Sequence, residues 1–513
     1  MSHWIILPIV LPLLSGLLLL MGRSSALLRK RLLSLLSTLM LLPLALYLLY
    51  LSSDGDYQVY ALGNWAAPYG IVLVLDRLAA LMLVLTALLA LPAVWYASRG
   101  DDARGRHFHA LFQFQLMGLN GAFLTGDLFN LFVFFEVLLI ASYALLLFGG
   151  GRARSRAGLH YVLLNLAGSS LFLIALGVLY GVTGTLNMAD LAGKVAAAEA
   201  SEAGLLHAAA LLLLLVFALK AALLPLYFWL PTAYSAASAP VAALFAIMTK
   251  VGVYAIVRVY TLIFGAQAGL LANVADGWLW PLALATLLLG AIGALAAGKL
   301  RTLVAYLVIV SVGMLLAAVS LHTPEALAGA LYYLLHTTLV SGGLFLLAGL
   351  IRHHRGPAGD HFITAARMLQ QPPLGILFFI GAVAVAGLPP LSGFVGKLVL
   401  LTAVPAGEQQ AWFWAVVLGS GLITIVALSR AGSRLFWKTD ESTPAGHRLD
   451  PWQLAPTLLL VAVAPLLLSL FARPVMEYTG AAAAQLLVPE GYVAAVLGSE
   501  APLPATILQG GVQ

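Results

Sequence analysis

The chain has 513 residues, of which 62% are hydrophobic and 9% charged, with a mean hydropathy of +1.01. A water-soluble domain carries about 25% charged residues, so this composition excludes one. The 26 Lys+Arg against 20 Asp+Glu leave a net charge of +6. The basic residues fall in short loops between apolar runs, which orients a membrane protein rather than building a nucleic-acid face. The chain has no cysteine, which removes disulfides, iron–sulfur clusters, thiolate metal sites and cysteine nucleophiles.

At about 20 residues per crossing, fourteen apolar runs span or nearly span a bilayer. The first, 3–21, has no basic segment before it and is followed by Arg23, Arg29, Lys30 and Arg31. It reads as a membrane helix with its N-terminus outside, not as a cleaved signal. In chain order there follow 32–51, 71–97, 107–125, 127–148, 158–182 and 204–230. An alanine-rich stretch, 187–203, with Asp190, Lys194, Glu199 and Glu202, is expected as a short outside helix or loop. The remaining runs are 240–262, 275–297, 301–320, 325–351, 372–404, 411–437 and 452–473. Runs 204–230 and 372–404 strain a single span and contain internal prolines. A weakly amphipathic tail after Pro474 is expected to lie along the membrane or against a partner. No stretch alternates like a strand, so the predicted fold class is an all-α polytopic membrane bundle.

Orientation follows from Lys and Arg. Nineteen of them fall in loops on one side, while the opposite side has Lys194 and Arg473, with Arg258 ambiguous at a helix end. This bias places the basic loops in the cytoplasm and both termini outside.

Few ionisable groups remain inside the runs. Glu136 lies nine residues beyond Asp127, roughly 14 Å in at 1.5 Å per residue. Lys220, Lys250 and His336 are central in their runs, and Lys397 follows the prolines of run 372–404. Three lysines and a glutamate at mid-depth cost on the order of 10 kcal/mol unless paired, neutralised or hydrated. Lysines outnumber acids there, so at least one lacks a full-charge partner. Burial disfavours the ammonium form, which suits a proton carrier, and His336 alongside them extends a relay. Pro225 cannot donate to the carbonyl of Ala221, beside Lys220, and Pro389 and Pro390 free the carbonyls of Val385 and Ala386. Unpaired backbone at this depth is tolerated only inside protein or facing a water-filled cavity. Two broken helices, each with a nearby lysine, form the pattern of a transporter.

Other groups are weaker candidates. Asp76 and Arg77 read as a structural pair or helix-end anchor, and Asp127 as a helix cap, with a place at an ion entrance as its alternative. His353, His354 and His361 read as a solvated loop rather than a metal site. Only His336 is clearly a mid-membrane histidine, and there is no GxxxxGK[ST] loop, so neither a bis-histidine haem nor ATP hydrolysis has a site. No cofactor or metal is expected.

The stretch Thr125-Gly126-Asp127-Leu128-Phe129-Asn130-Leu131-Phe132-Val133-Phe134-Phe135-Glu136-Val137-Leu138 resembles the fifth-helix segment of antiporter-like subunits. These are shared by respiratory complex I and the multisubunit Mrp (Pha/Mnh) cation/proton antiporters. The segments around Lys220–Pro231, Pro240–Tyr254, His336 and Gly387–Lys397 match the same family in order. Tyr234, where respiratory members often have histidine, favours the Mrp branch, as does the length of 513 residues.

The resemblance implies fourteen helices with two inverted five-helix repeats, each holding a broken helix. On that frame, 1–106 is an N-terminal block, 107–262 and 275–437 are the repeats, and 452–513 is a last helix and tail. It also implies that Glu136 pairs with Lys220, and that Lys220, Lys250, His336 and Lys397 form a hydrated midplane relay. Access to opposite sides would lie near the two breaks, at Pro225 and at Pro389–Pro390. The implied activity is exchange of H⁺ for Na⁺ or K⁺ by a hetero-oligomer of Mrp-type membrane subunits in the cell inner membrane. This chain would be a secondary transporter subunit and not an enzyme. The nearest alternative is a proton-pumping subunit of a respiratory or hydrogenase-type complex. A third reading, from another class, is a scaffold whose polar residues only hold helices together.

Overall fold

The computed structural model describes residues 3–22, 27–445 and 448–498, so Arg23 and the tail from 499 onward lie outside the described residues. The apolar runs form helices because a bilayer offers backbone N–H and C=O groups no alternative partner. Eleven described helices are long and apolar enough to cross a membrane, or up to twelve if the bent pair Ala472–Leu486 and Pro489–Leu497 is one span. Three of the fourteen runs fall short of that length. Leu7–Met21 has 15 residues, Phe108–Leu124 has 17, and run 372–404 divides into Gln371–Ala386 and Ser392–Ala403. The molecule is a polytopic, predominantly helical membrane protein.

Local chemistry sets several helix starts. Asp76 accepts from the Ala79 N–H, Asp127 from Asn130 and Thr323 from Ala326, each side chain satisfying a donor that the first turn leaves free. Asp127 is therefore the cap that the sequence suggested. The stretch 187–203 contains the short helix Met188–Ala196, capped by Asn187.

Two small sheets correct the purely helical expectation. Gln58–Ala61 pairs antiparallel with Val72–Leu75, and Ala365–Met368 pairs parallel with Thr439–Ala445. Strands this short leave no readable alternation, and Val72–Leu75 is hidden in the apolar run 71–97, whose helix begins only at Arg77.

The interior is built from Arg77–Ala97, Ala239–Leu262, Leu300–Val319 and Pro324–His354, which are almost wholly buried. Around them, Leu27–Leu51, Arg152–Thr183, Glu408–Trp437 and Pro451–Leu470 turn apolar faces outward. Leu36, Leu163, Leu422 and Leu466 are exposed on these outer faces, a surface suited to lipid rather than water. The tail helix Ala472–Leu486 folds back on its own chain. Gln485 donates to the Gly55 carbonyl at 2.9 Å, and the Tyr478 hydroxyl donates to that of Arg77 at 3.0 Å.

Candidate functional site

The five ionisable groups stand on a continuous file of neighbouring helices. Leu128–Leu147 (Glu136) packs on Arg152–Thr183, which packs on Ala200–Ala221 (Lys220) and that in turn on Met248–Leu262 (Lys250). The file continues through Leu300–Val319 to Pro324–His354 (His336) and Ser392–Ala403 (Lys397). Fold topology thus brings together residues spread over more than half of the sequence.

Each group finds a neutral partner. Lys220 Nζ donates to Asn165 Oδ1 at 3.0 Å, and Lys250 Nζ to Ser311 Oγ at 2.8 Å. His336 Nδ1 lies 2.8 Å from Ser392 Oγ. Lys397 Nζ donates to the carbonyls of Val385 and Ala386 at 3.1 and 2.8 Å. These are the two acceptors that Pro389 and Pro390 leave free. Lys220, Lys250 and His336 are buried, at 8%, 0% and 1% exposure, while Lys397 is half-buried. Among the described residues, none of the three lysines forms an ion pair.

The expected contact between Glu136 and Lys220 is not made. The Glu136 carboxylate accepts from the Ser169 hydroxyl, and Lys220 turns to Asn165. Both partners lie on Arg152–Thr183, one turn apart, so this helix stands between acid and amine and offers each a small polar group.

Asp76 is a helix-end anchor, as the sequence allowed, but its ion-pair partner is not its chain neighbour. Its carboxylate pairs with Arg258 at 2.6 and 2.8 Å, not with Arg77, whose guanidinium donates to the Ser53 carbonyl at 2.8 Å. Both partners of the Asp76–Arg258 pair are buried. Arg258 also faces the Tyr254 and Tyr492 rings at 5.5 and 5.4 Å. The pair joins residues 182 positions apart, a relation no local pattern encodes.

The two broken spans differ in detail. Ala200–Ala221 stops where Ala222 turns to φ 64°, and helix resumes at Trp229–Ala236. The loose Leu224 N–H donates to Thr286 Oγ1 at 2.8 Å. The second span stops at Gly387, φ 76°, and resumes at Ser392. A Cβ on Gly387 would lie 2.5 Å from Lys397 Cδ, and one on Gly393 would collide with the Ala384 carbonyl oxygen and lie 2.9 Å from His336 Nε2. Both glycines make room for the titratable groups beside them.

Small cavities adjoin both lysines. That beside Lys220 is about 20 Å³, lined mainly by apolar and aromatic groups such as Phe135, Tyr161 and Trp229. That beside Lys397 is about 10 Å³, shared with His336 and lined by the hydroxyls of Thr337, Ser341, Ser420 and Thr424. Each has room for about one water molecule. Among the described residues, no group of three or more His, Cys, Asp or Glu side chains could hold a metal ion.

Sequence reasoning missed Asn165, Ser169, Ser311, Thr286 and Ser392. The only signal was polar residues inside apolar runs, clearest in Asn165 and Ser169, spaced by one turn.

Fold and site together define a multi-pass membrane protein that holds buried amines on a row of packed helices. The family described as "NADH:quinone oxidoreductase/Mrp antiporter, TM" matches residues 125–424, and the chain belongs to it. The D-type subunit of the probable K⁺/H⁺ antiporter of Rhizobium meliloti (strain 1021) is 44% identical, over 95% of this chain and 96% of the relative. The D-type subunit of the Na⁺/H⁺ antiporter of Bacillus subtilis (strain 168) is 40% identical, over 97% and 100%. A chain in the structure of the Mrp complex from Dietzia sp. DQ12-45-1b superposes with a TM-score of 0.87 at 31% identity, over 97% of this chain and 100% of that one.

Proposed function

We infer that this chain is the D-type subunit of a multisubunit monovalent-cation/proton antiporter, working beside other membrane subunits. Full-length similarity to subunits named for Na⁺/H⁺ and K⁺/H⁺ antiport supports the assignment. Protons pass along Glu136, Lys220, Lys250, His336 and Lys397, and their movement is coupled by the whole assembly to Na⁺ or K⁺ moving the other way. All fourteen apolar runs cross the cell membrane, with 107–262 and 275–437 as inverted repeats and both termini outside.

One observation carries the relay: three buried or half-buried amines whose hydrogen bonds run only to neutral acceptors. The partners suit proton exchange. An amide offers both an acceptor and a donor, and a hydroxyl does the same. The Asn165 amide N–H already donates to the Tyr161 carbonyl and the Ser311 hydroxyl to that of Val308, so each presents its oxygen to the amine, which keeps N–H donors before and after it releases a proton. An intervening water at each cavity extends the reach of the chain without a side-chain movement across the bundle.

The test uses the whole co-expressed assembly in acid-loaded vesicles with a pH-sensitive dye, comparing wild type with Lys220→Ala at equal assembly. Addition of Na⁺ or K⁺ alkalinises wild-type vesicles, and the response disappears in the variant. Full exchange by Lys220→Ala makes the lysine structural and ends the relay. Absence of any cation response, with acidification driven by a reductant, moves the chain to a respiratory role.

A further inference from the structure

The helix Arg152–Thr183 begins with an unbalanced cluster of positive charge. Arg152, Arg156 and His160 recur every fourth residue over its first turns, and with Ala153, Ala157 and Thr232 they line an open cavity of about 790 Å³. No acidic residue lines it. Among the described residues, neither arginine makes an ion pair or a side-chain hydrogen bond, whereas Arg154, between them, points elsewhere and donates to the Ala236 carbonyl at 3.1 Å. Arginines left unpaired around a concave site are suited to the fork geometry of a phosphate.

The surface below the cavity distinguishes a lipid from a free anion. At 100° per residue, Leu159, Leu163 and Leu166 fall within about 40° of the Arg152 direction. They are 63%, 57% and 58% exposed. One helix face therefore reads, from its end inward, as a basic cup followed by a strip of leucines. That matches the order of a phospholipid, headgroup first and acyl chain after.

We propose that the cup formed by Arg152, Arg156, His160 and Thr232 binds the phosphate of an anionic phospholipid, whose acyl chain lies along Leu159, Leu163 and Leu166. Thr232 belongs to Trp229–Ala236, the half-helix after the first break, and Arg152–Thr183 carries Asn165 and Ser169. The bound lipid bridges the helix that partners Lys220 and Glu136 to the helix that follows Lys220. It adds a second tie to the one Arg154 already makes with Ala236.

The experiment is native mass spectrometry of the intact assembly released from vesicles of phosphatidylcholine containing a minority of phosphatidylglycerol. It reads lipid retention rather than ion exchange, so its failure leaves the antiporter assignment untouched. Arg152→Gln/Arg156→Gln lowers retained phosphatidylglycerol about ten-fold or more, the loss expected from two charge-assisted contacts. Thr232→Asp, which adds a carboxylate while keeping both arginines, gives a similar loss. Arg29→Gln/Lys30→Gln removes the same charge from the first turn of another helix, Leu27–Leu51, and leaves retention unchanged. Equal retention in all variants overturns the proposal, as does an equal loss in the Arg29/Lys30 control, which would reflect surface charge alone. Displacement of the lipid by millimolar inorganic phosphate assigns the cup to a free anion instead. Loss of a neighbouring subunit from the arginine variant, with lipid retained by Thr232→Asp, makes the cup a protein contact.

Discussion

The two broken spans place a lysine beside a proline, yet they treat the ammonium differently. Lys220 precedes its break and reaches across to an amide on another helix, above a mainly apolar cavity. Lys397 follows its break and bonds back to two carbonyls of its own span, beside a cavity rich in hydroxyls. A proline break near a charge is therefore not one device. At the first break it ends the helix and leaves the amine to a neighbour, and at the second it supplies the amine's own ligands.

The largest effect concerns transport, which both lysines serve. Arginine retains the charge but cannot release a proton in a protein. Lys220→Arg and Lys250→Arg should lower cation-dependent alkalinisation by roughly 100-fold, the scale of a lost acid–base group. Lys397→Arg keeps donors for the Val385 and Ala386 carbonyls but is equally unable to release a proton, so it should lose transport on the same scale while leaving the second break intact. Wild-type exchange by Lys250→Arg or Lys397→Arg would remove that residue from the relay.

A smaller effect concerns stability. Asn165→Ala strands the Lys220 ammonium without its acceptor, at a cost of about 1–3 kcal/mol, visible as a lowered unfolding midpoint of the assembled complex. No side-chain truncation can do this to Lys397, whose acceptors are backbone. An unchanged midpoint in Asn165→Ala would show that water replaces the amide.

The backbone of the two breaks should respond with opposite signs. Gly387 and Ala222 both hold positive φ, at 76° and 64°. Gly387→Ala introduces a side chain there and against Lys397, destabilising by about 1–2 kcal/mol, whereas Ala222→Gly relieves the same conformation and stabilises by up to about 1 kcal/mol. The pair of midpoints, measured together, tests whether the turns are equivalent.

The smallest effect lies outside both breaks and serves as their reference. Burial favours neutral Asp102, but hydrogen bonds from Arg31 and His109 outweigh it and hold its carboxyl down at about 2. Arg31 Nε and Nη2 donate at 2.6 and 2.8 Å, and His109 Nε2 lies at 3.0 Å. A depressed acid contributes stability above its unfolded value near 3.8 that is lost as pH falls through about 2. With Arg31 partly exposed, this contribution is about 1 kcal/mol. Asp102→Asn should flatten the acid limb of stability against pH and leave transport near neutrality unchanged.

Much of the bundle was legible in the chain. Uninterrupted apolar length marks a membrane helix because lipid leaves the backbone no other partner. Proline marks a break because it lacks an N–H, so the acceptors at Val385 and Ala386 were readable before their donor was known. Charges stranded in apolar runs, at 136, 220, 250, 336 and 397, stand out because burying them is costly. What the chain did not reveal was the identity of their partners. Asn165, Ser169 and Ser311 are small neutral polar groups, inexpensive to bury and so nearly silent in composition. The short strands at 58–61 and 365–368 fell below the length at which alternation becomes visible.

The sequence by itself determined that this is a membrane bundle with buried amines and two broken spans, because those features follow from hydrophobicity and backbone chemistry residue by residue. Only the tertiary structure decided that Glu136 and Lys220 are held apart by one helix, that Asp76 pairs with Arg258, and that Lys397 closes onto its own break. Those choices depend on which helix faces meet, and contact between distant faces is a property of packing rather than of any local run.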